Sequence, residues 1–155
     1  MTYAEKVTDF LSQRKIAIAG VSRKPQTEVG NAIYKKFKEA GYTVFPINPN
    51  AEYVEGDRCY KNLSETPEKA DAVFIAANPA AAPEIIKQCL DNGITRVWFH
   101  KGLGNGSYNK EAAQYGETNG LTVIHNGCPM MFIKGADPFH RFVGFVKKIL
   151  GRLEK

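Results

Sequence analysis

No apolar run in this 155-residue sequence approaches the length of a membrane span. The opening Met1-Thr2-Tyr3-Ala4-Glu5-Lys6 lacks the apolar core of a secretory signal, so a cytoplasmic location is expected. Cysteine is scarce. Cys59, Cys89 and Cys128 lie far apart, and no His/Cys cluster has metal-ligand spacing. The expectation is three free thiols, with no disulfide framework and no metal. Acidic residues are in the minority, 16 against 21 lysines and arginines, for a net charge of +5 and a pI near 9.1. The basic residues are spread out and do not alternate with aromatics, so nucleic acid is not the expected partner. A small anionic molecule suits the same charge. Internal repeats and low-complexity tracts are also missing.

What is present, 43% hydrophobic and 24% charged residues, predicts one globular domain over residues 1–155. Its pattern alternates apolar strands with amphipathic helices. Thr2 and Glu5 have capping-box spacing, followed by Val7, Phe10 and Leu11 on a lead-in helix. Strands are expected at 15–20, 42–47, 72–77, 96–100 and 121–125. They are apolar runs rather than alternations, as in a parallel sheet covered on both faces. A helix at 28–40 presents Val29, Ile33, Phe37 and Ala40 on one side. A second begins at Asn78-Pro79, with Pro83 as a competing start, and buries Ala82, Ile85, Ile86, Cys89 and Leu90. A third lies near 109–119. Gly41, Gly93 and Gly120 are the helix stops. Residues 51–70 have no helical period and predict an irregular crossover with short pieces of structure. A last helix at about 138–153 carries Phe142, Val146, Ile149 and Leu153. It is a packing face or a surface for a second copy or a protein partner. Together these predict an α/β fold, a Rossmann-type doubly wound parallel five-stranded sheet with helices on both faces. The expected strand order is third, second, first, fourth, fifth.

In such sheets ligands lie beyond the carboxyl ends of the strands. The segment Lys15-Ile16-Ala17-Ile18-Ala19-Gly20 runs through Val21-Ser22-Arg23-Lys24 into a helix, which is the layout of a phosphate-binding turn. No glycine stands between Gly20 and Gly30, so the turn departs from G-x-G-x-x-G. The second strand ends in Asn48-Pro49-Asn50, with no acid until Glu52. An acid there would bind free ribose hydroxyls, whereas its absence favours a ligand with a phosphate near its ribose. His100 and His125 end neighbouring strands, with no nucleophile and orienting acid evident beside them. Cys128 falls in the same region and is a candidate thiol.

The marks Ile16-Ala17-Ile18-Ala19-Gly20-Val21-Ser22, Pro46-Ile47-Asn48-Pro49-Asn50, Asn78-Pro79, Val97-Trp98-Phe99-His100-Lys101-Gly102 and Asn126-Gly127-Cys128-Pro129 resemble the small CoA-binding protein family. They also resemble the CoA-binding N-terminal domain of the succinyl-CoA synthetase alpha subunit. The resemblance implies coenzyme A or an acyl-CoA as ligand. It implies that Gly20, Val21, Ser22, Arg23 and Lys24 surround the diphosphate, and that Asn48, Pro49 and Asn50 meet the ribose phosphate region. It sets Ala77, Asn78 and Pro79 beside the adenine, and His100, Lys101 and Gly102 along the pantetheine arm. The synthetase keeps its phosphorylated histidine in a second domain, so the resemblance implies binding and supplies no catalyst. The alternatives are an NAD(P)-linked oxidoreductase, an acyl-CoA-handling thiol enzyme using Cys128, or a regulatory partner docking through its last helix.

Overall fold

The computed structural model describes residues 1–23, 29–101, 106–125 and 127–132. The expected helix at 138–153 lies outside them, as do Lys24, Gly102 and Asn126. The elements in order are α1 (Tyr3–Leu11), β1 (Lys15–Ala19), α2 (Val29–Glu39), β2 (Thr43–Ile47), β3 (Tyr53–Val54) and β4 (Asp57–Arg58). Then come β5 (Ala72–Ile75), a 3-10 turn (Pro79–Ala81), α3 (Ala82–Asp91), β6 (Arg96–Phe99), α4 (Lys110–Thr118), β7 (Thr122–Ile124) and a 3-10 turn (Pro129–Met131).

Five strands form one parallel sheet in the order β2-β1-β5-β6-β7. Side chains alternate across it, and both sides are buried. Ile16, Ile18, Phe74, Trp98 and Ile124 face α1 and α2, with Phe132 in the same cluster. Ala17, Ala19, Val73, Ile75, Val97, Phe99 and Val123 face α3, α4 and the crossover residues Leu63 and Ala70. Trp98 is fully buried, with Phe10 edge-on at 5.3 Å between ring centroids, an arrangement that adds to the apolar burial.

The strand order corrects the expectation. The third main strand, β5, pairs with β1 instead of lying outside β2. The chain leaving β2 lays Tyr60 beside Ile47 in a parallel bridge, which fills the edge position a third strand would need. Asp71 then accepts from the N–H of Lys15 at 3.0 Å and brings β5 alongside β1. Both orders demand the same alternation of strand and helix, so the pattern alone does not choose between them.

A smaller correction concerns α2. Val29 is exposed, and the buried face is Gly30, Asn31, Ile33, Tyr34 and Phe37. Ile33, Phe37 and Ala40 are buried as expected, and in the first turn it is Gly30, pressed onto the carbonyl of Gly20, that faces inward in place of Val29. The capping box at Thr2 and Glu5 is formed in both directions. Both expected starts of the third helix are used: Asn78 caps the 3-10 turn at Pro79, and α3 continues from Ala82 with Pro83 in its first turn. In the crossover, β3 and β4 make a hairpin whose central residues Glu55 and Gly56 both have positive φ, 51° and 78°. A two-residue hairpin matches strand twist with this turn.

Candidate functional site

From β1 the chain proceeds to β2 on one side, while from β5 it proceeds to β6 on the other. The order therefore switches between β1 and β5, and their carboxyl ends flank the crevice where ligands bind in this class of sheet. At that point Gly20 has φ +110°, and an added Cβ would lie 2.5 Å from the nitrogen of Ala77. A side chain at Gly30 would run into the carbonyl oxygen of Gly20. The two glycines thus let the loop cross the end of β5 and let α2 abut the loop. A close-packed turn of this kind needs no second glycine next to the first.

The backbone of the loop is fastened by two asparagines. Asn31, buried on α2, accepts from the N–H of Ser22 at 2.8 Å and donates to its carbonyl at 2.9 Å. The same amide donates to Glu55 of the hairpin turn at 2.9 Å. Asn48 donates to the carbonyl of Val21 at 2.9 Å, and its oxygen accepts from the N–H of Asn50 at 2.8 Å. Gly20 gives its own N–H to Ile47. With the N–H groups of Gly20 and Ser22 spent, the donors left at this corner include the exposed Arg23 and the first turn of α2.

The hairpin is held to α2 by charge. Glu55 pairs with Lys35 at 3.1 Å, and Asp57 takes Lys38 at 2.7 Å and the hydroxyl of Tyr34 at 2.5 Å. The hydrogen bond from Asn31, then Lys35, holds the Glu55 carboxyl below the usual carboxylate range. Lys38, then Tyr34, does the same for Asp57. Burial and then the Asp57 contact push the Tyr34 hydroxyl up.

Two cavities open at this edge. One of about 340 Å³ is bounded by Gly20, Val21, Ser22, Asn48, Pro49, Ala77 and the start of α3. The other, about 700 Å³, lies past the end of β2 among Pro49, Asn50, Glu52, Arg58, Tyr60, Lys61 and Glu65. Pro49 and Lys61 border both. These sizes are in the range of small-molecule sites.

The expected site residues do not all meet there. Asn78 and Pro79 line neither cavity; Asn78 caps its turn, and the carbonyl of Pro79 accepts from Asn109 at 3.0 Å. His100 and Lys101 lie at the end of β6. The His100 ring stacks toward Phe74, and burial pushes its pKa down, so it is neutral at pH 7. The His125 ring lies instead 4.9 Å from that of Tyr108, and the Lys101 ammonium sits over the same Tyr108 ring at 5.1 Å. Among the described residues no hydrogen bond joins the two histidines, and the Nδ1 atoms of both are buried without a partner.

Cys128 is half-buried beside the α1–α2 cluster, with no hydrogen bond to an imidazole or carboxylate among the described residues. Burial raises the Cys59 thiol and pushes Cys89 up to about 12, so both stay protonated. No group of three metal-ligating side chains occurs among the described residues, and no described helix is long and apolar enough to cross a membrane. Asn31, Glu55, Lys61 and Tyr108 were missed by sequence reasoning. Only Asn31 left a signal, as a weak helix former in the first turn of a helix beside glycine.

A family model described as a CoA binding domain matches residues 14–134. A hypothetical protein from Pyrococcus horikoshii OT3 superposes with a TM-score of 0.75 at 32% identity, covering 84% of this chain and 89% of that one. The uncharacterized protein YneT of Bacillus subtilis (strain 168) is 27% identical over 74% of this chain and 82% of its own. The alpha subunit of the ADP-forming acetate–CoA ligase II of Pyrococcus furiosus is 26% identical over 90% of this chain. The chain spans only 32% of that subunit.

Proposed function

Because this chain belongs to the CoA-binding domain family, we propose that it binds coenzyme A or an acyl-CoA at the carboxyl edge of its sheet, as a binding module rather than a catalyst. The observation that carries the reading is the crevice between β1 and β5. There Gly20 crosses the main chain of Ala77, and the loop enters the N-terminal end of α2. An anion is favoured at such a helix end. The residues that follow β2 directly, Asn48-Pro49-Asn50, include no acid, which supports a ligand with a ribose phosphate over one with free ribose hydroxyls.

In this reading Gly20, Val21, Ser22, Arg23 and Lys24 surround the diphosphate. Asn48, Pro49 and Asn50 lie toward the ribose phosphate, and Ala77, Asn78 and Pro79 toward the adenine. His100, Lys101 and Gly102 border the pantetheine arm. One relative is a ligase subunit, which supports a protein partner for this chain as well.

The test is a thermal melt with CoA and with NAD. A ligand at about 100 times its Kd stabilises by roughly 2.7 kcal/mol. That raises the Tm of a domain this size by about 5–10 °C. CoA is expected to do so and NAD much less. A larger shift with NAD overturns the reading.

A further inference from the structure

We infer that Lys61 is the residue by which this chain recognises a phosphate on the ligand's ribose, so that it selects CoA over dephospho-CoA. The inference rests on the CoA reading above and goes beyond it to a residue and a specificity. In nucleotide-binding sheets the ribose lies over the end of the second strand, where an acid selects free hydroxyls and a cation accommodates a ribose phosphate. Here that end carries only Asn48-Pro49-Asn50. Both polar groups of the Asn48 side chain are committed to Val21 and to Asn50. Neutral amides do not supply the charge that a phosphate dianion favours.

The next segment supplies it. Tyr60 runs beside β2, donating its N–H to Pro46 at 3.0 Å and accepting from the N–H of Asn48 at 2.9 Å. This sets Lys61 at the end of β2, on the border of both cavities. The other charges in the larger cavity are engaged. Arg58 pairs with Glu52 at 3.8 Å, and Glu65 accepts from the backbone N–H of Lys61 at 3.3 Å. The Lys61 ammonium has no ion pair or hydrogen bond among the described residues. Among the described residues it is therefore an uncommitted positive charge where the two cavities meet.

Calorimetric titration of CoA and dephospho-CoA into the wild-type chain, Lys61→Gln and Lys61→Arg tests this. The wild type is expected to bind CoA about fivefold to tenfold tighter than dephospho-CoA, between the worth of an exposed ion pair and that of a charged hydrogen bond. Added salt shrinks the difference. Lys61→Gln is expected to remove it by weakening CoA alone, and Lys61→Arg to keep most of it. The Lys61 side chain is on the surface, so the unliganded melting temperature of each variant stays at the wild-type value. Equal wild-type affinity for the two ligands, or a Lys61→Gln variant that weakens both alike, overturns the role of Lys61 and leaves the CoA reading standing. If neither ligand binds the wild type, both are overturned.

Discussion

Replacing Asn31 by alanine removes three hydrogen bonds from a side chain that is only 1% exposed. The N–H and carbonyl of Ser22 each lose this partner, and Glu55 loses its donor. A typical hydrogen bond contributes about 1 kcal/mol, and leaving a buried group unsatisfied costs about 1–3 kcal/mol. Ser22 and Glu55 are partly exposed, so water replaces some of what is lost. The expected cost is about 2–4 kcal/mol. In a domain of this size that lowers the Tm by roughly 5–15 °C. The loop that Asn31 holds is also the proposed diphosphate cradle, so CoA affinity falls with it.

Asn31→Asp separates this network from simple packing. The carboxylate keeps the acceptor for the Ser22 N–H, yet it faces the Ser22 carbonyl and the Glu55 carboxylate with no donor. At pH 7 it is expected to be worse than alanine. Adding Glu55→Gln returns a donor across the gap, so the double variant is expected to melt above Asn31→Asp alone. Scanning calorimetry of the four proteins, with far-ultraviolet circular dichroism as a fold check, measures all of this. An Asn31→Ala variant melting within about 2 °C of wild type refutes the argument, since even one lost buried bond exceeds that. A double variant no better than Asn31→Asp refutes the contact with Glu55.

Three further outcomes are expected. Gly20→Ala forces a Cβ against the backbone of Ala77 at a positive φ, so it is expected to destabilise by at least about 1–3 kcal/mol and to lower CoA affinity, read by denaturant titration and calorimetry. Arg23→Ala is expected to weaken CoA about tenfold and to weaken a pantetheine fragment lacking the nucleotide much less; equal CoA affinity removes Arg23 from the site. Glu55 and Asp57 have carboxyl groups held below their ordinary range, so their contribution is complete above about pH 5 and is lost as pH falls through their folded-state values. Stability of the wild type is expected to drop in that acid window, and the drop is expected to be smaller in a Glu55→Gln, Asp57→Asn variant.

Among the described residues, the five strands of the sheet and helices α1 to α4 were readable because each obeys a local rule. Ala72–Ile75 is a run of apolar residues too short for a helix, and Thr2 with Glu5 spells its own cap. The glycine turn at the carboxyl edge was readable for the same reason. The strand order was not, since it depends on Tyr60 lying beside Ile47, a pairing between residues with no shared period. Asn31 and Glu55 are 24 positions apart and meet only after the hairpin folds onto α2. Lys61 sits in a stretch with no helical or strand pattern, so only the folded chain reveals that it stands at the end of β2. Local grammar carries the layers; long-range contacts carry the fastening of the site.

The crossing of Gly20 over Ala77 has a consequence for redesign. The floor of the crevice is main chain against main chain, with no room for a side chain at the point of closest approach. Peptide groups are the same whatever residue carries them, so substitutions nearby leave that floor intact as long as the glycine remains. Preference among ligands must therefore be written in the rim, on Lys61, Asn50 and the first turns of α3, where Glu84 and Gln88 already face the opening. An engineer seeking a new nucleotide ligand would vary the rim freely and leave the floor alone.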